Sequence, residues 1–260
     1  MRHAVAGGMV VLGLWAGGAM LALGQEVTGK QIAERIYNRD DGADSVFTVK
    51  MTLVDRRGRE RERTMVTYSK DAEDGLVNTF MQFESPADIK GTRFLTLEQR
   101  GEDDTQYLYM PALGRSRRIV GGQRQQSFVN TDFTFEDMER RHPDDDLHTL
   151  KREEKFKEWD CYVIETVPGE GRDSQYSKSV VWMDKASDVI VKVDFYDQRE
   201  RHVKQLRVNR LEKKDGIWTA MDTEMENLTR GTRTRLVTLD VKYNQGLDDS
   251  MFTLRHLEEK

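Results

Sequence analysis

The chain has 260 residues, 33% of them charged, and its 46 acidic side chains outnumber 41 basic ones for a net charge of −5. That balance lacks the positive footprint a phosphate backbone requires, which excludes a nucleic-acid partner. A single cysteine, Cys161, excludes an internal disulfide framework, a zinc spacing and a haem-attachment motif.

Arg2 precedes an apolar, glycine-rich stretch over 4–23, and Ala22-Leu23-Gly24 has the small-x-small pattern of a processing site. The pattern predicts a secretory signal over 1–24, cleaved near Gly24, and a single soluble domain over 25–260. Gln25 stands where a lipoprotein signal would carry its acylated cysteine. About 235 residues then remain, enough for one large β domain.

"TGKQIAERIYNRDDG" predicts a helix, with Thr28 and Gln31 at capping-box spacing and Ile32, Ile36 and Tyr37 on one face. Strands follow one another after it. In "SVFTVKMTLVD", Phe47, Val49, Met51 and Leu53 point one way and Thr48, Lys50 and Thr52 the other. Thr64, Val66 and Tyr68 share a face of the next strand, and segments holding Phe83, Leu95, Tyr107 and Tyr109 come after it. "EWDCYVIE" places Cys161 in a strand as a packed thiol rather than a nucleophile. One-sided rows recur at Val189, Val191, Val193 and Phe195; at Leu206 and Val208; at Ile217, Met221 and Met225; and at Val237, Leu239, Val241 and Tyr243. Asp215-Gly216 is a hairpin signal, and all four prolines fall at strand ends or in loops.

The pattern predicts one long antiparallel meander, wet on one face and dry on the other, which twist curls into a trough. Its dry wall should carry Phe47, Val49, Met51, Leu53, Val66, Tyr68, Phe83, Leu95, Tyr107, Tyr109, Val191, Val193, Met221 and Leu239. Two short helices can cover the trough in part: the N-terminal one and a second in "FVNTDFTFEDMERRH", where Thr134 and Asp137 have capping-box spacing. Between them a ligand has room.

"YLYMPALGRSRRIVGGQ" sets aromatic residues beside Arg115, Arg117 and Arg118 and follows them with Gly121-Gly122. The segment reads either as a plain hairpin or as a hinged flap over the trough. In the flap, Arg117 or Arg118 serves as a latch or headgroup contact, Gly121 and Gly122 as the hinge, and Phe128, Phe133 and Phe135 as the lid's apolar face. His142, Asp144, Asp145, Asp146 and His148 form the best metal candidate, but Pro-Asp-Asp-Asp is ordinary turn chemistry and the turn reading is favoured. No Gly-x-Ser-x-Gly, His-Glu-x-x-His or phosphate loop occurs, so nothing points to catalysis.

"SPADIKGTRFLTLE" followed by "DDTQYLYMPALGRSRRIVGGQRQQSFVNTDFTFEDM" resembles the outer-membrane lipoprotein-sorting proteins of the LolA-like superfamily, in the longer branch often found beside RND-type exporters. The resemblance runs to the ending "DDSMFTLRHLEE". It implies a mainly β, open antiparallel half-barrel (LolA/LolB-like), with a hydrophobic concave face under short helices and a lid loop. It also implies a non-enzymatic periplasmic carrier without cofactor, which shields the acyl chains of a lipoprotein or lipid and passes them toward the outer membrane. Partners would be an inner-membrane exporter and an outer-membrane acceptor. The alternative is a lipid- or peptide-sensing adaptor of an RND-type exporter. A hydrolase acting on envelope lipids is a third reading, with no residue to carry it.

Overall fold

The computed structural model describes residues 27–72 and 75–259, and the expected signal segment lies outside them. Helix α1 (Gly29–Tyr37) opens the described chain. Its capping box forms as the spacing predicts: Gln31 N donates to the Thr28 hydroxyl at 3.2 Å, and Thr28 N donates to the Gln31 side-chain oxygen at 2.9 Å.

Six strands come next: β1 (Asp44–Val54), β2 (Glu60–Asp71), β3 (Val77–Ser85), β4 (Arg93–Leu97), β5 (Thr105–Met110) and β6 (Arg115–Ile119). Seven more follow a crossing segment: β7 (Asp146–Phe156), β8 (Trp159–Pro168), β9 (Tyr176–Asp184), β10 (Ile190–Asp197), β11 (His202–Lys214), β12 (Ile217–Asn227) and β13 (Thr232–Tyr243). A 3-10 turn (Asp249–Phe252) and helix α2 (Leu254–Glu258) close the chain.

All thirteen strands form one sheet, in the order β6-β5-β4-β3-β2-β1-β13-β12-β11-β10-β9-β8-β7. It is the curled, one-sided meander expected from the alternation and the open half-barrel that the resemblance implies, antiparallel throughout and not closed. Chain neighbours are spatial neighbours at every step but one: β6 and β7 stand at opposite free edges, and β1 bonds to β13. The chain leaving β6 must therefore travel back to the other edge. Residues 120–145 do so across the concave face, and the topology itself supplies the cover.

Register fixes the concave row. Met65 lies opposite both Val49 and Phe83, and Met51 opposite Leu236. On the other side Ile164, Val181, Val193, Leu206 and Met225 follow one another across five strands. The convex face carries its own apolar islands. Phe80, Leu95 and Tyr109 pack under Phe252 and Leu257 of the C-terminal segment, while Trp159, Cys161, Val163 and Trp182 form another cluster.

Several expected wall residues face elsewhere. Because Val49 pairs with Met65, the even positions Val66 and Tyr68 point to the convex side. Leu95, Tyr107 and Tyr109 do likewise, since their strand neighbours Phe94 and Leu108 take the concave positions. A bulge at Ile190–Lys192 turns Val191 into the Trp182 cluster, away from Val193. A second bulge, opposite Thr48 and Val49, leaves Leu239 57% exposed. Met221 is buried at a third irregularity, opposite Arg210 and Leu211. Alternation is blind to an inserted residue, and each bulge flips everything beyond it.

The second expected helix forms only short 3-10 turns, at Phe128–Asn130 and Glu136–Met138, and another such turn, Gly121–Gln125, precedes it. The Thr134–Asp137 box is present, with Thr134 N donating to Asp137 at 2.7 Å. No helix grows from it, because this segment is stretched across the trough. Arg117 and Arg118 lie on β6, which pairs with β5 along its length, so the stretch is a hairpin rather than a flap. Neither guanidinium bonds to the cover among the described residues; Arg118 reaches only the Thr105 hydroxyl, at 3.3 Å.

Candidate functional site: a plugged half-trough and an open cavity

The cover treats the two halves of the trough differently. Over β1–β6 it drives in Phe128, Phe133 and Phe135, all buried. Phe128 sits 5.0 Å from Phe94 and 5.6 Å edge-on to Phe135 between ring centroids, spacings typical of favourable aromatic pairs. The expected wall residues Phe47, Val49, Met51, Leu53 and Phe83 lie beneath this plug. They face the protein's own aromatics.

Over β8–β13 the trough stays open. A cavity of about 690 Å³ lies between the sheet, α1 and the cover. Its floor is Ile164, Val181, Ile190, Val193, Phe195, Leu206, Met225 and Leu236, and its sides are Ala33 and Ile36 of α1 and Phe133 and Met138 of the cover. Of the residues expected to line a cavity, Val193 faces this one from the sheet and Phe133 from the cover. Phe195, Leu206 and Met225 belong to one-sided apolar rows legible in the sequence. The helix comes close enough to act as a wall because residue 29 is glycine: a Cβ there would stand 2.6 Å from the His148 carbonyl.

Buried polar anchors hold the cover, and these residues escaped the sequence reading. Arg124 makes a bidentate pair with Glu139, both contacts at 2.6 Å, and reaches Asp103 at 2.8 Å. Lys204, on the concave side of β11, donates to Asp137 and to the Tyr176 hydroxyl, each at 2.8 Å, while Tyr176 donates to Asp137 at 2.7 Å. Arg63 donates to the Val129 carbonyl at 2.7 Å, where the backbone is left-handed (φ 47°). Asp132 takes a hydrogen bond from Thr234 at 2.8 Å and from Arg230 at 2.6 Å. The sequence carries little signal for them: Arg63 and Lys204 lie two positions from the concave residues Met65 and Leu206, on the face where a charge must be held by a partner.

Burial raises the Glu139 carboxyl above its usual range, against the pull of Arg124. Burial also pushes Asp104 up to about 7, although it accepts from Gln99 N at 3.2 Å and from Arg140 N at 3.3 Å. Tyr176 is raised by burial first and by Asp137 next. Charged groups share the lining: the partly exposed Arg39, Asp41, Arg140, Arg141 and Lys178 form a charged rim, and the carboxyls of Glu136 and Asp146 are buried. The cluster weighed as a metal candidate is held by ion pairs: Asp144 pairs with Lys30 at 2.5 Å, Asp145 with Arg172 at 2.5 Å and Asp146 with Arg141 at 2.7 Å. His148 meets the Thr166 hydroxyl at 3.0 Å. Among the described residues no group of histidine, cysteine and carboxylate side chains converges on a metal position.

An open antiparallel sheet with a crossing cover and an apolar cavity beneath it defines a LolA-like half-barrel. The LolA superfamily protein NE2245 from Nitrosomonas europaea shares this fold at a TM-score of 0.67 and 23% identity, covering 87% of this chain and 98% of its own. Two relatives lie nearer. A DUF1329 family protein from Desulfovibrio piger is 33% identical with a TM-score of 0.84, over 88% of this chain and 97% of that one. An outer membrane lipoprotein-sorting protein domain from Vibrio parahaemolyticus is 31% identical at the same TM-score, over 89% and 98%. A family model described as "Uncharacterized protein" matches residues 75–259. The chain belongs to the DUF1329 family. No curated protein matches it.

Proposed function

We propose that this protein is a periplasmic carrier that takes the acyl chains of a lipoprotein or lipid into the cavity under its cover and passes them toward the outer membrane. The cavity carries the reading. At about 690 Å³ it falls within the range of small-molecule sites, roughly 300–1,000 Å³. An apolar floor under a charged rim suits a ligand with a hydrocarbon body and a polar end. Each methylene buried contributes about 0.8 kcal/mol, so a single chain binds usefully and still reversibly. The lipoprotein-sorting description of the Vibrio relative agrees. On this reading the molecule binds and releases and catalyses nothing. Cargo enters as the cover swings away from the sheet, with Gly121 and Gly122 as its hinge and the phenylalanine plug filling the apolar wall while the protein is empty.

Mass spectrometry of gently purified protein should find acyl lipid bound. Leu206→Trp, which fills the cavity from its floor, should remain folded by thermal melt and lose that lipid together with binding of an added fluorescent fatty-acyl probe. A wild-type protein free of lipid that also ignores the probe, or a folded Leu206→Trp variant binding it undiminished, would overturn the proposal.

A further inference from the structure

In the hairpin of β5 and β6, Gln106 of β5 donates to the Phe135 carbonyl at 2.9 Å and so helps hold the cover, but the exposed side chains of the outer strand β6 touch neither the cover nor the cavity, and their chemistry departs from the rest of the chain. No aspartate or glutamate occurs from Thr105 to Thr131, in a protein whose acidic residues number 46. Within that stretch Arg115, Arg117 and Arg118 stand exposed on β6. None of the three forms an ion pair among the described residues, whereas Arg124, further along, is buried against Glu139 and Asp103.

Apolar residues flank the arginines at both ends of the strand. Leu113, in the turn before β6, is 55% exposed, and Val120, just after it, is 53% exposed. At about 3.3 Å per residue the two stand roughly 20 Å apart along the sheet's free edge. Arg115 and Arg117, opposite Met110 and Leu108, leave the strand on the concave side and Arg118, opposite Tyr107, on the convex side, so guanidinium groups flank the free edge on both faces between its apolar ends. Nothing in the fold requires Leu113 or Val120 to be apolar, since neither is packed.

Two kinds of partner could meet such an edge. An acidic extended peptide would add as a strand, using the unpaired backbone groups of β6. That route is obstructed at the middle of the strand: Ser116 N and the Ser116 hydroxyl both donate to Glu258 of α2, at 3.2 and 2.5 Å. A strand arriving there would have to displace a carboxylate and would bring more negative charge beside it. A bilayer surface makes no such demand. Anionic headgroups reach the arginines from outside, and Leu113 and Val120 enter the interfacial zone, the pairing of basic and apolar groups that peripheral proteins use.

We propose that the β5–β6 hairpin is a membrane-docking element that seats the protein reversibly on an anionic phospholipid surface. Each arginine near such a surface changes the partition about fivefold, so the three together account for a change on the order of a hundredfold. The hairpin leads straight into the cover, so docking brings the first residues of the crossing segment to the membrane. The proposal draws on the carrier reading only for the reason a carrier would visit a bilayer.

The test is flotation with vesicles of phosphatidylcholine alone and of phosphatidylcholine with phosphatidylglycerol. It uses protein recovered from cells, with the same N terminus verified by mass spectrometry in every variant. Wild type should float with the anionic vesicles, weakly with the neutral ones, and release in 0.5 M salt as screening shortens to about 4 Å or less. R115Q/R117Q/R118Q should lose most of that binding, and L113N/V120N a smaller part, with unchanged melting temperatures because these side chains are exposed. Failure of wild type to float, equal flotation with neutral vesicles, or a triple variant that floats undiminished would overturn the docking role. So would arginine-dependent capture of a polyglutamate peptide without vesicle binding. Fatty-acyl probe binding, measured on the same samples, separates the two proposals: lost docking variants that still take up the probe leave the cavity reading intact, and probe-negative protein that still floats does the reverse.

Discussion

Arg124 and Glu139 are the sharpest place to ask what holds the cover down. The Arg124 side chain is 5% exposed and that of Glu139 3%, and the two share a bidentate contact. Arg124→Met leaves the Glu139 carboxylate buried with no counter-charge, whereas Asp103, 45% exposed, stays hydrated without its partner. Breaking one side of a buried pair costs about 3–5 kcal/mol, while replacing both sides with apolar residues of similar volume is often neutral. Arg124→Met should therefore lose about 3 kcal/mol and speed hydrogen exchange of residues 120–145 on the order of a hundredfold. Arg124→Met/Glu139→Met should recover most of the loss. The sign with pH also follows. Without Arg124, the folded-state pKa of Glu139, already raised by burial, rises further above its unfolded value. A carboxyl raised on folding stabilises when protonated and loses that contribution as pH climbs, so the single variant should suffer less at pH 5 than at pH 8. Urea denaturation at both pH values and exchange mass spectrometry of the cover measure this. A single variant within 1 kcal/mol of wild type, or a double variant no better than the single, would refute the reasoning.

Asp104, with its carboxyl pushed up to about 7 by burial, should cost the wild type stability as pH rises from about 4 through 7. One proton bounds the slope at about 1.4 kcal/mol per pH unit, and Asp104→Asn should flatten it in a urea series. Gly29→Ala places a methyl 2.6 Å from the His148 carbonyl, and should cost about 1–3 kcal/mol while loosening α1 over the cavity, read by denaturation and by probe affinity. Cys161, its thiol pushed up to about 11 by burial, should resist a thiol reagent at pH 8 until denaturant is added.

Much of the architecture was legible because period-two alternation is a local property. Phe47 to Leu53 read correctly as one face, and that face is concave. The Thr28–Gln31 cap read correctly as well, since capping needs only residues three apart. The same local logic failed wherever a non-local fact intervened. Thr64, Val66 and Tyr68 do share a face, but which face is buried depends on the pairing of Val49 with Met65. The row through Val191 and the row through Leu239 each broke at a bulge that alternation does not register.

By itself the sequence determined a many-stranded antiparallel sheet, a capped N-terminal helix and one apolar face needing cover, all set by neighbours within a few positions. The tertiary structure decided what covers that face. Only the placing of β6 and β7 at opposite edges sends residues 120–145 over the trough. Only there do Arg124 and Glu139, or Lys204 and Asp137, come within hydrogen-bond reach. Burial then turns ordinary charged residues into anchors, because a charge removed from water must be held by a partner. The open volume beside the plug is likewise a remainder of packing: three phenylalanines fill one half of the trough, and the other half keeps its cavity.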